Sequence, residues 1–263
     1  MKKRNLQLFA ATADVLKIDI EVFNAEVRIV STSEPRLCME YSAGLRPAIE
    51  DREGAVVLRQ GKTLFYRLKH PSLTVHVPEC LVPDINITAE RGKVTITGGI
   101  FGDACVKGKN IHARIDGAAF ENLQLKADEL DMTADEITVK NVANARAEGG
   151  RVMLEGAYCK RADCHVKRGN IGLCGSECDF AILSSDEGNI SAIMPGKESD
   201  YTLAVSGAAL SGAKLSGENT AGAKSLRARA AKGCVLLDFE NAPRFDERAE
   251  LLGDEAAEEQ LHA

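Results

Sequence analysis

Short runs of alternating apolar and polar residues recur along this chain, and glycines punctuate them. Successive side chains of a strand point to opposite faces, so such alternation marks a half-buried strand. The clearest unit reads glycine, a polar residue, Val or Ile, any residue, an apolar residue, then glycine within a few positions. It occurs as Gly150-Arg151-Val152-Met153-Leu154-Glu155-Gly156, as Gly169-Asn170-Ile171-Gly172-Leu173-Cys174-Gly175, and as Gly188-Asn189-Ile190-Ser191-Ala192. Val152, Ile171 and Ile190 are evenly spaced, which sets a repeat of about 19 residues. Earlier copies are Gly92-Lys93-Val94-Thr95-Ile96-Thr97-Gly98 and Lys109-Asn110-Ile111-His112-Ala113, and a late one is Gly233-Cys234-Val235-Leu236-Leu237. The span from Val94 to Val152 fits three coils of this length, and the span from Ile190 to Val235 fits two longer ones. Between the glycine units lie second alternating strands such as Leu123-Gln124-Leu125, Leu130-Asp131-Met132 and Cys164-His165-Val166.

A strand this short cannot bury its apolar face alone. Stacking equivalent coils ~4.8 Å apart pairs each strand with its copies above and below and joins the apolar faces into one core. Corner glycines supply the sharp bends. A meander sandwich also has short strands, but it has no reason to repeat one glycine-polar-Val/Ile unit at a fixed interval. The pattern predicts an all-β chain: a single-stranded parallel β-helix (β-solenoid) of about 19 residues per coil, loosening to roughly 17–22 in places, with an irregular N-terminal β cap.

The expected organisation has three parts. Residues 1–84 hold the N-terminal strands, including Leu16–Ile20 and Val27–Val30, continuous with the stack and capping its open end. Residues 85–240 hold the solenoid repeats. Residues 241–263 form an acidic tail, helical or disordered. Within 206–225 a five-residue period runs Ser-Gly-Ala-Ala-Leu, Ser-Gly-Ala-Lys-Leu and on. It reads as a flexible linker or, given Leu210 and Leu215, as narrow ordered coils resembling the pentapeptide pattern.

Composition fits this picture. Of 263 residues 44 % are apolar but only 5 % aromatic, with no Trp, so Val, Ile, Leu and Ala must build the core. A net charge of −6 argues against nucleic acid or an anionic membrane as partner, while leaving room for a local basic patch. Met1-Lys2-Lys3-Arg4 looks like a signal-peptide start, but the following stretch is too short and polar for one, and no run reaches the length of a transmembrane helix. The sequence therefore reads as cytoplasmic, with its eight cysteines as free thiols.

The chain resembles a bacterial "putative adhesin" domain family. The residues that carry the likeness are an opening pair of alternating strands, the step Val75-His76-Val77-Pro78, and the repeated units beginning at Ile85-Asn86-Ile87-Thr88-Ala89-Glu90-Arg91-Gly92-Lys93-Val94. The likeness spans roughly residues 14 to 240. It implies a β-solenoid with no catalytic residues, an adhesin-like binding or scaffold role toward a protein or glycan, and a place on the cell surface.

Little in the chain suggests chemistry. Cys159, Cys164, His165, Cys174 and Cys178 could be read as zinc ligands, but they lack a Cys-x-x-Cys knuckle and alternation sends Cys164 and His165 to opposite faces. Cys159 and Cys178, one repeat apart, should stack on adjacent coils as reduced thiols. Asp116, Asp128, Glu129, Asp131, Asp135 and Glu136 read as a solvated outer face, the alternative being the paired carboxylates of a β-helical polysaccharide lyase or hydrolase. His70, His76, His112, His165 and His262 suggest no triad, and no phosphate-binding loop or cofactor motif is present. A binding or scaffold protein is the leading reading. A carbohydrate-active enzyme and a weakly self-associating structural solenoid are the alternatives.

Overall fold

The structure is a computed structural model. It describes residues 4–8, 15–42, 44–45, 47–52, 54–60, 71–212 and 222–240. The acidic tail, His70, His262 and residues 213–221 of the five-residue period lie outside the described residues.

Fifteen strands form one continuous sheet among the described residues. In chain order they are β1 (Arg4–Leu8), β2 (Lys17–Thr32), β3 (Cys38–Ser42), β4 (Pro47–Arg52), β5 (Ala55–Gln60), β6 (Ser72–Pro78), β7 (Asp84–Thr97) and β8 (Ile100–Asp116). They continue with β9 (Ala119–Asp135), β10 (Thr138–Glu155), β11 (Tyr158–Cys174), β12 (Glu177–Glu187), β13 (Ile190–Pro195), β14 (Tyr201–Gly212) and β15 (Lys224–Glu240). From β7 to β13 each coil lies parallel on the last, so the fold is a parallel β-solenoid.

A single coil shows how the sequence bends. In β9, Phe120, Leu123, Leu125, Ala127, Leu130, Met132 and Ala134 are buried. Strict alternation fails twice, where neighbours Glu121-Asn122 and Asp128-Glu129 both point outward. Each doubled outward pair is a corner. A third corner follows at Glu136, giving three straight sides per coil. The short strands expected from sequence are these sides, and the backbone runs through the corners as one long bent strand. At the third corner Gly98, Gly117, Gly156 and Gly175 take φ of 62°, 58°, 57° and 55°, and Glu136 takes the same left-handed conformation at 50°.

The register is tight. Val94, Ala113, Met132, Val152, Ile171, Ile190 and Val235 form one inward column, each paired with the next. Ile96, Ile115, Ala134, Leu154, Leu173, Ala192 and Leu237 form a second beside it. Stacked partners such as Cys159 and Cys178 stand 19 apart in sequence, and Asp131 and Arg151 stand 20 apart. The longer step enters β10 through a bulge between Val139 and Val142, so the wider spread of coil lengths expected from sequence is not seen in these coils. Ile111 departs from the expected alignment. It pairs with Gly92 and Leu130 in the column that continues through Gly150 and Gly169, and Ala113 fills the valine position. A slip of two residues keeps the same face inward, so alternation alone cannot detect it.

The ends differ most from expectation. The stretch from Ile190 to Val235 is not two sequential coils, because β15 pairs directly with β12 and β13 while β14 lies on the far side of β15. The chain skips a rung, lays down the outermost strand, and returns to fill the gap. Residues 206–212 accordingly belong to a full-width strand and not to a five-residue coil. The N-terminus does the converse: β2 lies between β5 and β6 on one side and β7 on the other. Antiparallel β4 closes on β5, and antiparallel β3 and β1 extend from β6, which forms the irregular cap.

The core is mainly aliphatic. Its aromatic exceptions are the stacked Phe101 and Phe120, with centroids 5.6 Å apart, and the fully buried Tyr201. The Tyr201 hydroxyl donates to the Pro195 carbonyl at 2.7 Å.

Candidate functional site

The Cys/His set does not converge. Cys159 and Cys178 pair across adjacent coils with sulfurs 3.0 Å apart, both buried, and Cys164 is buried in the same core. His165 faces outward from the neighbouring position, and Cys174 sits at the far end of the coil. Among the described residues no group of three or more Cys, His, Asp or Glu is arranged to hold a metal ion. Burial pushes the Cys164 thiol up to about 12. The Cys159 hydrogen bond and then burial raise Cys178, so these groups are protonated, unreactive core thiols.

The six acidic residues occupy a corner, a flat side and the third turn, and none is buried. Asp128 and Glu129 occupy a corner, with Arg168 3.9 Å from Glu129. Asp131 lies on a flat side between Arg151 (3.2 Å) and His112 (3.6 Å). Asp116 and Asp135 stack in the last strand position before the turn, with Glu155 above them, and Glu136 is in the turn itself. Asp131, Asp135 and Glu155 line one open depression of about 270 Å³, which they share with Lys93, His112 and Arg114. His76 lies 3.8 Å from Glu40, far along the chain from His112 and His165.

At two corners surface charge is neutralised from coil to coil. Along the 128–129 corner Lys109 reaches Glu90 (2.6 Å), Lys167 reaches Glu148 (3.1 Å) and Lys232 reaches Glu187 (2.5 Å). At the corner before it Lys140 reaches Glu121 at 2.7 Å, and the Asn122 amide donates to Asp103 at 2.7 Å. Signs alternate because cross-strand neighbours of opposite charge attract and like charges repel.

One column on the side between these corners does the opposite. Lys107 pairs with Lys126, Lys126 with Arg146, and Arg146 with His165. The column continues through Ser184 to Arg229. Lys107 and Lys126 are exposed and form no ion pair with a described residue. Arg146 is 3.9 Å from Asp163, a carboxylate it shares with Arg161 at 3.5 Å. Lys107, Lys126, Arg146 and His165 line a shallow groove of about 430 Å³. Gly108, Ala127 and Ala147 form its floor, and Asp128 and Glu148 its wall. Sequence reasoning misses this ladder. Its signal is the spacing of 107, 126, 146 and 165, which becomes visible once the chain is written in coil register.

No helix among the described residues is long and apolar enough to cross a membrane. No curated protein matches the chain significantly. Among solved structures it is similar to a "putative adhesin" from Bacteroides fragilis, at 14 % identity and a TM-score of 0.49 over 91 % of this chain and 98 % of that one. It is also similar to a "putative cell adhesion protein" from Clostridium sporogenes (10 % identity, TM-score 0.30, 91 % of this chain and 100 % of that one). A third is a "putative lipid binding protein" from Parabacteroides distasonis (11 % identity, TM-score 0.35, 88 % of this chain and 96 % of that one). The model of the family described as Toastrack DUF4097 matches residues 15–208, most of the stacked coils. The chain belongs to the Toastrack DUF4097 family.

Proposed function

We propose that this protein is a non-enzymatic, adhesin-like binding module that presents the flat sides of its solenoid to a protein or glycan partner. The observation that carries this reading is the register of the outward side chains. Parallel coils hold them in fixed columns along straight sides, a preorganised surface that loses little freedom on binding. Asp116, Asp128, Glu129, Asp131, Asp135 and Glu136 all lie on the outer surface, none of them buried, and this supports binding over hydrolysis or elimination, which need a pair of carboxyl groups flanking a bond held in a cleft. The test is a glycan array with purified protein, run beside product analysis on the same glycans. Retention of a glycan or protein partner without turnover is the expected result. Release of cleaved or unsaturated products would overturn the reading.

A second reading, end-to-end self-association, is favoured by β14. Its sequence carries no charge, and its pairing among the described residues is with β15 alone. An uncharged strand edge is a template for another strand. Light scattering would show mass rising with concentration, and Ala204→Lys would suppress the rise.

A further inference from the structure

We infer that the column Lys107–Lys126–Arg146–His165 is a groove for a linear acidic polysaccharide, whose carboxylate or sulfate groups recur along the strand. The inference rests on the binding reading above and names its ligand class. Along the neighbouring 128–129 corner the solenoid sets opposite charges on successive coils, at Glu90–Lys109, Glu148–Lys167 and Glu187–Lys232. Here it stacks the three cations Lys107, Lys126 and Arg146 at one coil spacing, ~4.8 Å, an arrangement that destabilises a sheet. Anions laid along the column remove that repulsion. From Lys107 to Arg229 the column spans six rungs, five spacings of ~4.8 Å or ~24 Å, long enough for several charged sugars in an extended strand.

The groove's other residues narrow the ligand. Asp128 and Glu148 stand on its wall and accept hydrogen bonds, which suits sugar hydroxyls between the anionic groups. The same carboxylates repel a chain that is phosphate throughout. No Phe, Tyr or Trp lines the groove, and the single imidazole of His165 does not make the run of stacking platforms that single-stranded nucleic acid uses. Phosphates of one duplex strand advance by about 3.4 Å each, out of step with the coils. Recognition is therefore ionic at the ladder and polar at the wall.

The experiment measures binding of the full chain to polygalacturonate, dextran sulfate, neutral dextran and an oligo-dT strand at low and moderate salt. It compares the double variant Lys126→Gln/Arg146→Gln with Lys93→Gln/Arg114→Gln, which removes the same charge from another side. The parent should bind at least one acidic polysaccharide, with affinity falling as salt rises, and should not retain dextran. The ladder variant should lose at least about tenfold in affinity, while the other variant stays within about twofold. The ladder variant should also melt no lower than the parent, because like-charge repulsion has been removed. Equal losses in both variants, no loss in the ladder variant, or tighter binding to oligo-dT would overturn the inference. Binding of neither acidic polysaccharide would overturn it as well. If the array still finds a partner in that case, the broader binding reading survives, so the two failures are distinguishable.

Discussion

Gly150, Gly169 and Gly188 follow the 128–129 corner where the backbones of successive coils approach closely, and one substitution tests that closeness directly. At Gly169 a Cβ would lie 1.8 Å from the Gly150 carbonyl oxygen and 2.8 Å from its carbon, with φ at +153°. Ordinary contact begins near 3.4 Å, so Gly169→Ala requires the two coils to part by more than an ångström. The obstacle is backbone and cannot rotate away, and the rung hydrogen bonds would be stretched past useful length. The cost belongs at or above the upper end of overpacking penalties, about 3 kcal/mol. Gly117→Ala is the matched control. Gly117 has φ +58° and nothing within 4 Å of its Cβ position, so only the left-handed backbone resists. That resistance is about 1–2 kcal/mol, offset by about 0.4–1 kcal/mol from the stiffer unfolded chain, for a net loss of roughly 1 kcal/mol. Equilibrium urea unfolding followed by far-UV circular dichroism suits a chain without Trp. The two variants should differ by about 2 kcal/mol or more. Equal losses would refute the claim that close backbone approach, rather than turn conformation, demands glycine at 169.

Four further outcomes follow from local structure. Glu136 holds the left-handed corner that four glycines hold elsewhere, so Glu136→Gly should stabilise by up to about 1 kcal/mol in the same urea experiment. Ser176 is fully buried: its hydroxyl accepts from the Ala157 amide at 3.1 Å and faces the Leu154 and Cys174 carbonyls at 3.2 Å, so Ser176→Ala should cost about 1–3 kcal/mol. In a thiol titration of native protein, exposed Cys80 and Cys234 should react fast and buried Cys159, Cys164 and Cys178 slowly, with all eight reactive once the unreduced chain is denatured. The Cys164 thiol titrates at about 12 when folded against an ordinary 9.0. Between those pH values the unfolded chain has lost a proton that the folded chain keeps. Stability should therefore fall by about 1.4 kcal/mol per pH unit above pH 9 on this account, and Cys164→Ala should flatten that slope.

The repeat was legible because each coil writes the same inward column. Val152, Ile171 and Ile190 are all β-branched, each preceded by a polar residue with a glycine before it, so their even spacing stands out. Where the column is filled by Ala113 and Met132 instead, that signature vanishes and the eye settles on Ile111, two residues away on the same face. The cationic ladder was hidden for a related reason. Lys107, Lys126, Arg146 and His165 are ordinary singly, and they become a surface only when the bulge before Val142 is counted into the register. The order of rungs at the ends left no mark at all, because periodicity says which strands are equivalent and not which lie side by side.

That rung order has a physical consequence of its own. Strands near the ends of a solenoid are expected to fray first, since each is paired on one side only. Here β2 is paired along both edges, to β5 and β6 on one side and to β7 on the other. β15 is likewise held between β14 and the β12–β13 coil. The first long strand and the last are thus interior rungs, and of the outermost strands β1, β4 and β14 the latter two come from within the chain. Neither can peel away without a covalent tether on both of its sides, which limits how far an opened end can move. Native-state hydrogen exchange should find amides of β2 and β15 protected like those of β9, with β4 and the outer edge of β14 exchanging first. If β2 exchanges before β5 and β6, the tucked order of rungs is wrong and the N-terminal strands are a simple terminal cap.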